Sequence, residues 1–334
     1  MNVILNTDAY YNPEYGKIYE TLEKGVCERF SYSDDNGTVE NIFIKRPVSY
    51  LVNGEQFFDI VTPYGYGGAH ITELNGDADA LLDAFWKAYT EYCKEQKIIC
   101  EFVRFHPLVE NALLWKDRYC YDVVFSRNTI AINTADKDFF ANQFTPESRN
   151  KARKCLRDGA RIEIDEDLKR LDDFFALYYK TMEKNNATDY YFFDKKYFED
   201  IKNVFGKNIV LINAIMDEKV ISSSMFFMSE HYMHYHLAST DPDYYRYGAN
   251  NAILTAAGEY ALSKGISWLH LGGGVSSAVD DPLFKFKHTF GRKDENLKEF
   301  YIGKCIFDKE IYALLCEKAR EHGVNHPDFF PEYR

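Results

Sequence analysis

The stretch "DDPLFKFKHTFG", residues 280–291, places a lysine where a helix faces inward. Asp281 before Pro282 is a helix start: an acid at the N-cap, then a proline at the first helical position, where its missing N–H is not needed. At about 100° per residue, Leu283, Phe286 and Phe290 share one sector and Lys287 falls inside it, while Lys285, His288 and Thr289 point elsewhere. An inward ammonium reaches past its neighbours to water, pairs with a buried acid, or meets a negatively charged ligand.

Six other stretches are candidates for polar chemistry. In "RNKARKCLRDGAR", Arg149, Arg153 and Arg157 are spaced i, i+4, i+8 on one helical face, which is either solvated or built for a phosphate. In "EFVRFHPL", strand alternation sends Phe102, Arg104 and His106 to one face, so Arg104 and His106 form either an anion or sugar contact or an ordinary ion pair and loop histidine. In "TPYGYGGAH", Gly65, Gly67 and Gly68 permit close backbone approach and Tyr64 and Tyr66 can frame a ligand; the other reading is a tight turn after a strand. In "HYMHYHL", His234 and His236 share a strand face, but no further ligands follow at metal-site spacing, so no metal is expected and His236 is a polar contact. In "YYRYGANN", Gly248, Asn250 and Asn251 open a helix whose first N–H groups suit an anion. "LGGGVSS" follows a strand without an immediate helix, which does not fit a dinucleotide fingerprint, and its Gly273 is read as cleft floor.

These residues need a scaffold. The chain of 334 residues suits two domains, and its balance of apolar and charged residues is that of a folded globular protein. A net charge of −12 argues against a broad face for duplex nucleic acid. The cysteines are odd in number, scattered and without CxxC, which suggests neither a disulfide framework nor zinc, and fits a reducing, cytoplasmic setting. "MNVILNTDAYYNPEYG" lacks the pattern of a secretory leader, and no apolar run is long enough to span a bilayer.

Helical spacing over "DADALLDAFWKAYTEYCKEQ" leads into the buried strand "KIICEFVRF". In the second half, "LKRLDDFFALYYKTMEKN" is a helix and "KNIVLINAIM", "VISSSMFFMS" and "HYMHYHLAS" are three strands. "GANNAILTAAGEYALSKG" is a second helix, and "ISWLHLGGG" a buried strand. Both halves thus run an amphipathic helix into an apolar strand that ends in unusual residues. The weakened pattern over 134–148 puts the domain boundary near 145, giving domains 1–145 and 146–334.

The order of elements in the second half resembles the GNAT acyltransferase core. "RNKARKCLRDG", "HYMHYHLAS", "GANNAILTAAGEYA", "LHLGGG" and "FKFKHTFG" resemble the Fem-type (FemAB/FemX) branch, and "DIVTPYGYGGAH" and "EFVRFHPLVEN" resemble related bacterial acetyltransferase-like proteins, over about residues 45–300. The resemblance implies an α/β (α+β) fold of two tandem GNAT-like domains, each a mixed, largely antiparallel sheet flanked by helices, with the acceptor side in the first domain and the transfer core in the second. It places Phe286 against the donor and Lys287 at the donor carbonyl, stabilising the oxyanion as an acceptor amine attacks. Direct transfer needs no cysteine or serine nucleophile; Asp280, Asp281 or water would serve as base.

The implied activity is transfer of an acyl group to an amine on a cell-envelope or polysaccharide precursor, a UDP-linked precursor being one form. The acidic balance favours acyl-CoA as donor. The alternative is an aminoacyl-tRNA-dependent transferase extending a peptidoglycan peptide, with the Arg149–Arg157 face for phosphate, though no long helical insertion offers a coiled-coil arm. Arg246 stands two residues before Gly248 where the GNAT pyrophosphate loop spaces three, which departs from the pattern for CoA. A third reading, from another class, is a catalytically silent module holding a nucleotide-sugar.

Overall fold

The computed structural model describes residues 8–119, 121–184, 187–278 and 280–334. Residues 1–7, part of the opening stretch read for a leader, and Cys120 lie outside the described residues. Strands run over Val26–Asp34 (β1), Gly37–Pro47 (β2), Phe58–Val61 (β3), His70–Leu74 (β4), Ile98–Arg104 (β5) and Asp122–Asn133 (β6). They continue with Arg161–Asp165 (β7), Ile209–Met216 (β8), Lys219–Met228 (β9), Tyr232–Thr240 (β10), Trp268–Gly272 (β11) and Leu297–Ile306 (β12). The principal helices are Ala78–Glu95 (α1), Pro146–Arg157 (α2), Leu171–Lys184 (α3), Lys195–Phe205 (α4), Ala249–Ser263 (α5), Pro282–His288 (α6) and Lys309–Glu321 (α7).

The chain divides into two compact units, residues 1–126 with 299–334, and residues 127–298. This differs from a single cut near 145. Ile130, Ile132, Phe139 and Phe144, all before that cut, pack into the core of the second unit. Cys305 belongs to the core of the first unit, and Tyr312, Leu315 and Cys316 of α7 pack there with Val48, Ile99 and Cys100. Apolar burial of this kind contributes roughly 1.5–3 kcal/mol per large side chain, and it decides which unit a segment joins.

In the first unit the strand order is β1-β2-β3-β5-β12, with β4 also on β2. All these pairs are antiparallel except β3 with β5. Helix α1 makes that parallel step possible by carrying the chain back across the sheet. Its Leu81, Leu82, Phe85, Tyr89 and Cys93 form the buried stripe expected from their spacing, and Asp77 caps it by accepting from the N–H groups of Asp79 and Ala80.

In the second unit the order is β6-β11-β10-β9-β8-β7, and the one parallel pair is β10 with β11. Here the crossover is α5, whose Ala252, Ile253, Leu254, Ala257 and Ala261 are buried against Val210, Ile212, Phe226 and Leu269. The opposite face of this sheet is covered by α3 and α4: Leu177 packs on Ile215 and Val220, and Phe205 stacks on Phe227. Strand β8 is buried at every position, which is why it reads as a continuous apolar run. Each unit is therefore a mixed, largely antiparallel sheet with flanking helices, the fold class expected. Cys27, Cys93, Cys100, Cys155 and Cys316 are free. Among the described residues no helix is long and apolar enough to cross a membrane.

Candidate active site

Helix α6 begins as its sequence dictates. Asp281 is its N-cap and accepts from the Phe284 N–H at 2.9 Å, and Pro282 occupies the first turn. Phe290 is buried, in edge contact with Phe144 at 5.1 Å and Phe286 at 5.2 Å, so the helix is pinned by its aromatic face. Leu283 departs from expectation: it is 38% exposed, while Phe284 packs on the core and stacks with His288. In so short a helix the neighbours available to the first turn, not periodicity, decide which side is covered.

Lys287 does face inward and is only 8% exposed. Its Nζ donates to the Gly273 carbonyl at 2.8 Å and lies 6.0 Å from the centroid of the Tyr235 ring. An ammonium carries three donors, and this is the one hydrogen bond that Lys287 makes among the described residues. Desolvation pushes its pKa down to about 8, against an opposing pull from Asp281. The group is a buried cation with donor capacity left over.

The loop beneath it is clasped by Asp281. This carboxylate also accepts from the Ser276 N–H at 2.9 Å and the Ser276 hydroxyl at 3.0 Å. Hydrogen bonds from the Ser276 and Phe284 backbones hold its pKa down at about 2. A carboxylate so occupied is a poor proton acceptor, so the geometry gives Asp281 a positioning part. Gly274 must be glycine for the same reason: a Cβ there would stand 2.4 Å from Asp281 Oδ1. Arg127 supports the loop from β6, donating to the carbonyls of Gly274 at 3.0 Å and Val275 at 3.1 Å.

The strands beside the loop part company. β10 and β11 pair at Tyr232 with Trp268, Met233 with Leu269 and His234 with His270, after which no further pair forms although β10 runs to Thr240. A β-bulge between Tyr235 and Leu237 falls at this point. Tyr235 is on the α5 side with Lys287. His236 is on the other face, stacked on Phe227 at 4.1 Å with its Nε2 3.0 Å from the Tyr197 hydroxyl. Burial, then His234, lowers its pKa to about 3, so it is a neutral polar group.

The other residues of this unit fall around α2 and α5. Arg149 is half-buried and donates to the Ala141 carbonyl at 3.3 Å, while its Nε is buried without a partner among the described residues. Arg153 is exposed, its guanidinium 5.1 Å from the centroid of the Phe140 ring, and Arg157 is exposed too. Gly248 takes φ 66° at the start of α5 and supplies no side-chain cap. Asn250 accepts from Ser222 Oγ at 2.8 Å and Thr240 Oγ1 at 3.3 Å, and the Asn251 carbonyl accepts from Thr255 Oγ1. Both asparagines thus have structural partners, and the Asn251 N–H donates to the Gly248 carbonyl at 3.0 Å, which leaves the N–H groups of Ala249 and Asn250 at the start of α5.

In the first unit the expected residues form a packed turn. The Tyr64 carbonyl accepts from the Tyr15 hydroxyl at 2.9 Å, and the Tyr64 ring stacks on Tyr19. Tyr66 makes edge or tilted contacts with Tyr10, His106 and Phe300. The Gly67 N–H donates to the Arg104 carbonyl at 2.8 Å, and the Gly67 carbonyl accepts from Asn111 Nδ2 at 2.9 Å. Gly68, at φ 86°, lies so close to Val103 that a Cβ would approach within 2.5 Å. Arg104 donates from Nη2 to the carbonyls of Thr62 at 2.6 Å and Pro63 at 3.2 Å, and its Nε is buried without a partner among the described residues. His106 Nδ1 accepts from the Leu108 and Val109 N–H groups at 3.2 Å, which fixes its proton on Nε2, 3.3 Å from Asp8 Oδ1.

Sequence reasoning missed Tyr235 and Arg127. Strand alternation places Tyr235 opposite His234 and His236, a signal present in "HYMHYHL"; Arg127 carried none.

Residues 144–287 match the family described as Acetyltransferase (GNAT) domain, a match that ends on Lys287. Those residues form a GNAT domain, in keeping with the resemblance read from the motifs. The UDP-N-acetylmuramoylpentapeptide-lysine N(6)-alanyltransferase of Weissella viridescens is 24% identical over 174 residues, 52% of this chain and 50% of that protein. The chain thus spans about half the length of the curated relative it matches. The crystal structure of FemX superposes with a TM-score of 0.68 at 13% identity, covering 92% of this chain and 94% of that one. The structure of L-PGS from Bacillus licheniformis gives 0.54 at 11% identity, over 89% and 93%. The chain has the Fem-type, GNAT-based fold.

Proposed function

We propose that this chain is an acyltransferase that moves an aminoacyl group from an activated ester to an amine of a muramoyl-pentapeptide precursor in the cytoplasm. The observation that carries this reading is Lys287: a buried ammonium hydrogen-bonded once, to Gly273, and left with donors beside the parting of β10 and β11. Donors fixed in a desolvated site stabilise charge as it develops on a carbonyl oxygen, the requirement of acyl transfer by direct amine attack. Phe286 packs on the same helix face, Gly273 forms the floor, and Asp281 holds floor and helix together. The name of the Weissella relative supports an amino acid as the acyl group and a lysine amine as the acceptor.

Acetyl transfer from acyl-CoA is the second reading, favoured by the net charge of −12, which weakens tRNA binding. The Gly248 and Asn251 N–H groups are spent on the carbonyls of Tyr245 and Gly248, so the phosphate in either case would fall to the N–H groups of Ala249 and Asn250 at the start of α5. Tyr64, Tyr66, Gly67, Gly68, Arg104 and His106 would form the acceptor side. The test supplies a UDP-linked muramoyl-pentapeptide with alanyl-tRNA or acetyl-CoA in turn and identifies the product by mass. An alanylated pentapeptide supports the first reading, an acetylated one the second. Neither product, with a folded protein and both donors intact, removes the transferase assignment and favours a binding module.

A further inference from the structure

Lys287 offers a nucleophile as well as a cation. Its amine is enclosed, hydrogen-bonded to the Gly273 carbonyl, and has no carboxylate within salt-bridge distance among the described residues. The nearest acid in sequence, Asp281, is occupied by Ser276 and Phe284. An amine in such surroundings is easily deprotonated, because its burial outweighs the weaker pull of Asp281. Lys285, two residues away on the same helix, is exposed and provides an internal standard.

A group that hydrogen-bonds a carbonyl oxygen at ordinary distance is also about 3.5 Å from the carbonyl carbon, at the edge of the range from which nucleophiles attack. The hydrogen bond lies in the plane of the carbonyl, and attack comes from above that plane. With an acceptor amine in place that face is occupied; without one it is open to the lysine.

We propose that Lys287 is a self-acylation site, which takes the acyl group of a bound ester or thioester when no acceptor amine is present. This rests on the reading of Lys287 at the donor carbonyl. The lone pair of the neutral Nζ forms a bond to the acyl carbon, the C–O or C–S bond breaks, and the hydroxyl or thiol leaving group departs with that electron pair. The proton displaced from Nζ passes to the leaving group or to water. The product is a neutral amide, so the site loses the positive charge on which transfer depends. Binding of acceptor protects the enzyme, and donor alone inactivates it.

The test uses the whole protein and two probes, p-nitrophenyl acetate as a small ester and acetyl-CoA as a thioester, at about pH 8 without acceptor, where ordinary lysines are almost wholly protonated. Acylation of each lysine is followed by peptide mass mapping. Lys287 is expected to react at least about tenfold faster than Lys285 with one or both probes, the excess following from its larger neutral fraction. Lys287→Arg should abolish the modified peptide, and Lys285→Arg should leave it unchanged. Acylation of Lys287 no faster than of Lys285 with both probes overturns the proposal. Failure of the transfer reading is separate: it would appear as undiminished turnover in Lys287→Met, whatever the labelling of the parent protein.

Discussion

Each unit runs a helix into a strand that lies parallel to an earlier one: α1 into β5 beside β3, and α5 into β11 beside β10. Beyond the paired segments the two differ. In the first unit the ends are stitched: Gly67 bridges to Phe105, and Arg104 turns its guanidinium onto the carbonyls of Thr62 and Pro63. In the second the pairing stops at His234 and His270, and the nearby cation, Lys287, meets one carbonyl and keeps donors in reserve. A shared topology therefore yields a stitched turn in one unit and, in the other, strand ends that part beside a buried cation. The deciding quantity is how many donors the backbone itself consumes.

The sharpest way to break this contrast is to remove the two cations in turn. Lys287→Met should lower kcat by about 10² to 10³, the loss expected for one preorganised donor, while the melting temperature holds or rises because a costly buried charge has gone. Arg104→Met should do the opposite: about 2 kcal/mol of stability lost with its charge-assisted hydrogen bonds, little change in kcat, and any functional loss confined to the KM for acceptor, whose side of the site Arg104 is proposed to form. Melting curves paired with turnover on an identified substrate check both. If Arg104→Met cuts kcat as deeply as Lys287→Met, the first unit is no closed turn.

The pH dependence sharpens the comparison further. On the role proposed for Lys287, that of an ammonium, turnover should fall as pH rises through about 8, by about tenfold per unit beyond it. The stability effect has the reverse sign. A depressed amine pKa means that the folded state binds fewer protons than the unfolded state between about pH 8 and 10.4, so this group's contribution to stability rises with pH across that window. Denaturant titrations should show the rise in the parent and its loss in Lys287→Met. The smallest effect is expected at Arg153, exposed over Phe140: Arg153→Ala should change stability by less than about 1 kcal/mol. A fall in donor affinity at low but not high salt would mark a phosphate contact; equal affinity at both marks a solvated face.

Much of the second unit could be read in advance because its signals are local. Asp281-Pro282 specifies its cap, Phe286 and Phe290 specify a covered face, and Lys287 lies between them, as found. The partner of Lys287 could not be read, since a backbone carbonyl at Gly273 leaves no trace in residue types. Nor could the return of residues 299–334 to the first unit, because an apolar helix such as α7 fits either core by composition. Leu283 shows the limit of periodicity, and Arg104 the limit of residue type: strand alternation placed it, but whether it met a ligand or its own turn depended on carbonyls more than 40 residues away in sequence.

Asp281 ties the start of α6 and the far side of the 273–276 loop to the same two oxygen atoms. In mechanical terms this is a lever without a hinge. The loop cannot swing aside while the helix stays, because either movement tears the same clasp, and Gly274 leaves no slack for a side chain in between. The lysine at the other end of the lever is therefore not carried on a lid. Its reach is set by the clasp that holds the loop, and in the proposed reaction a donor would come to it.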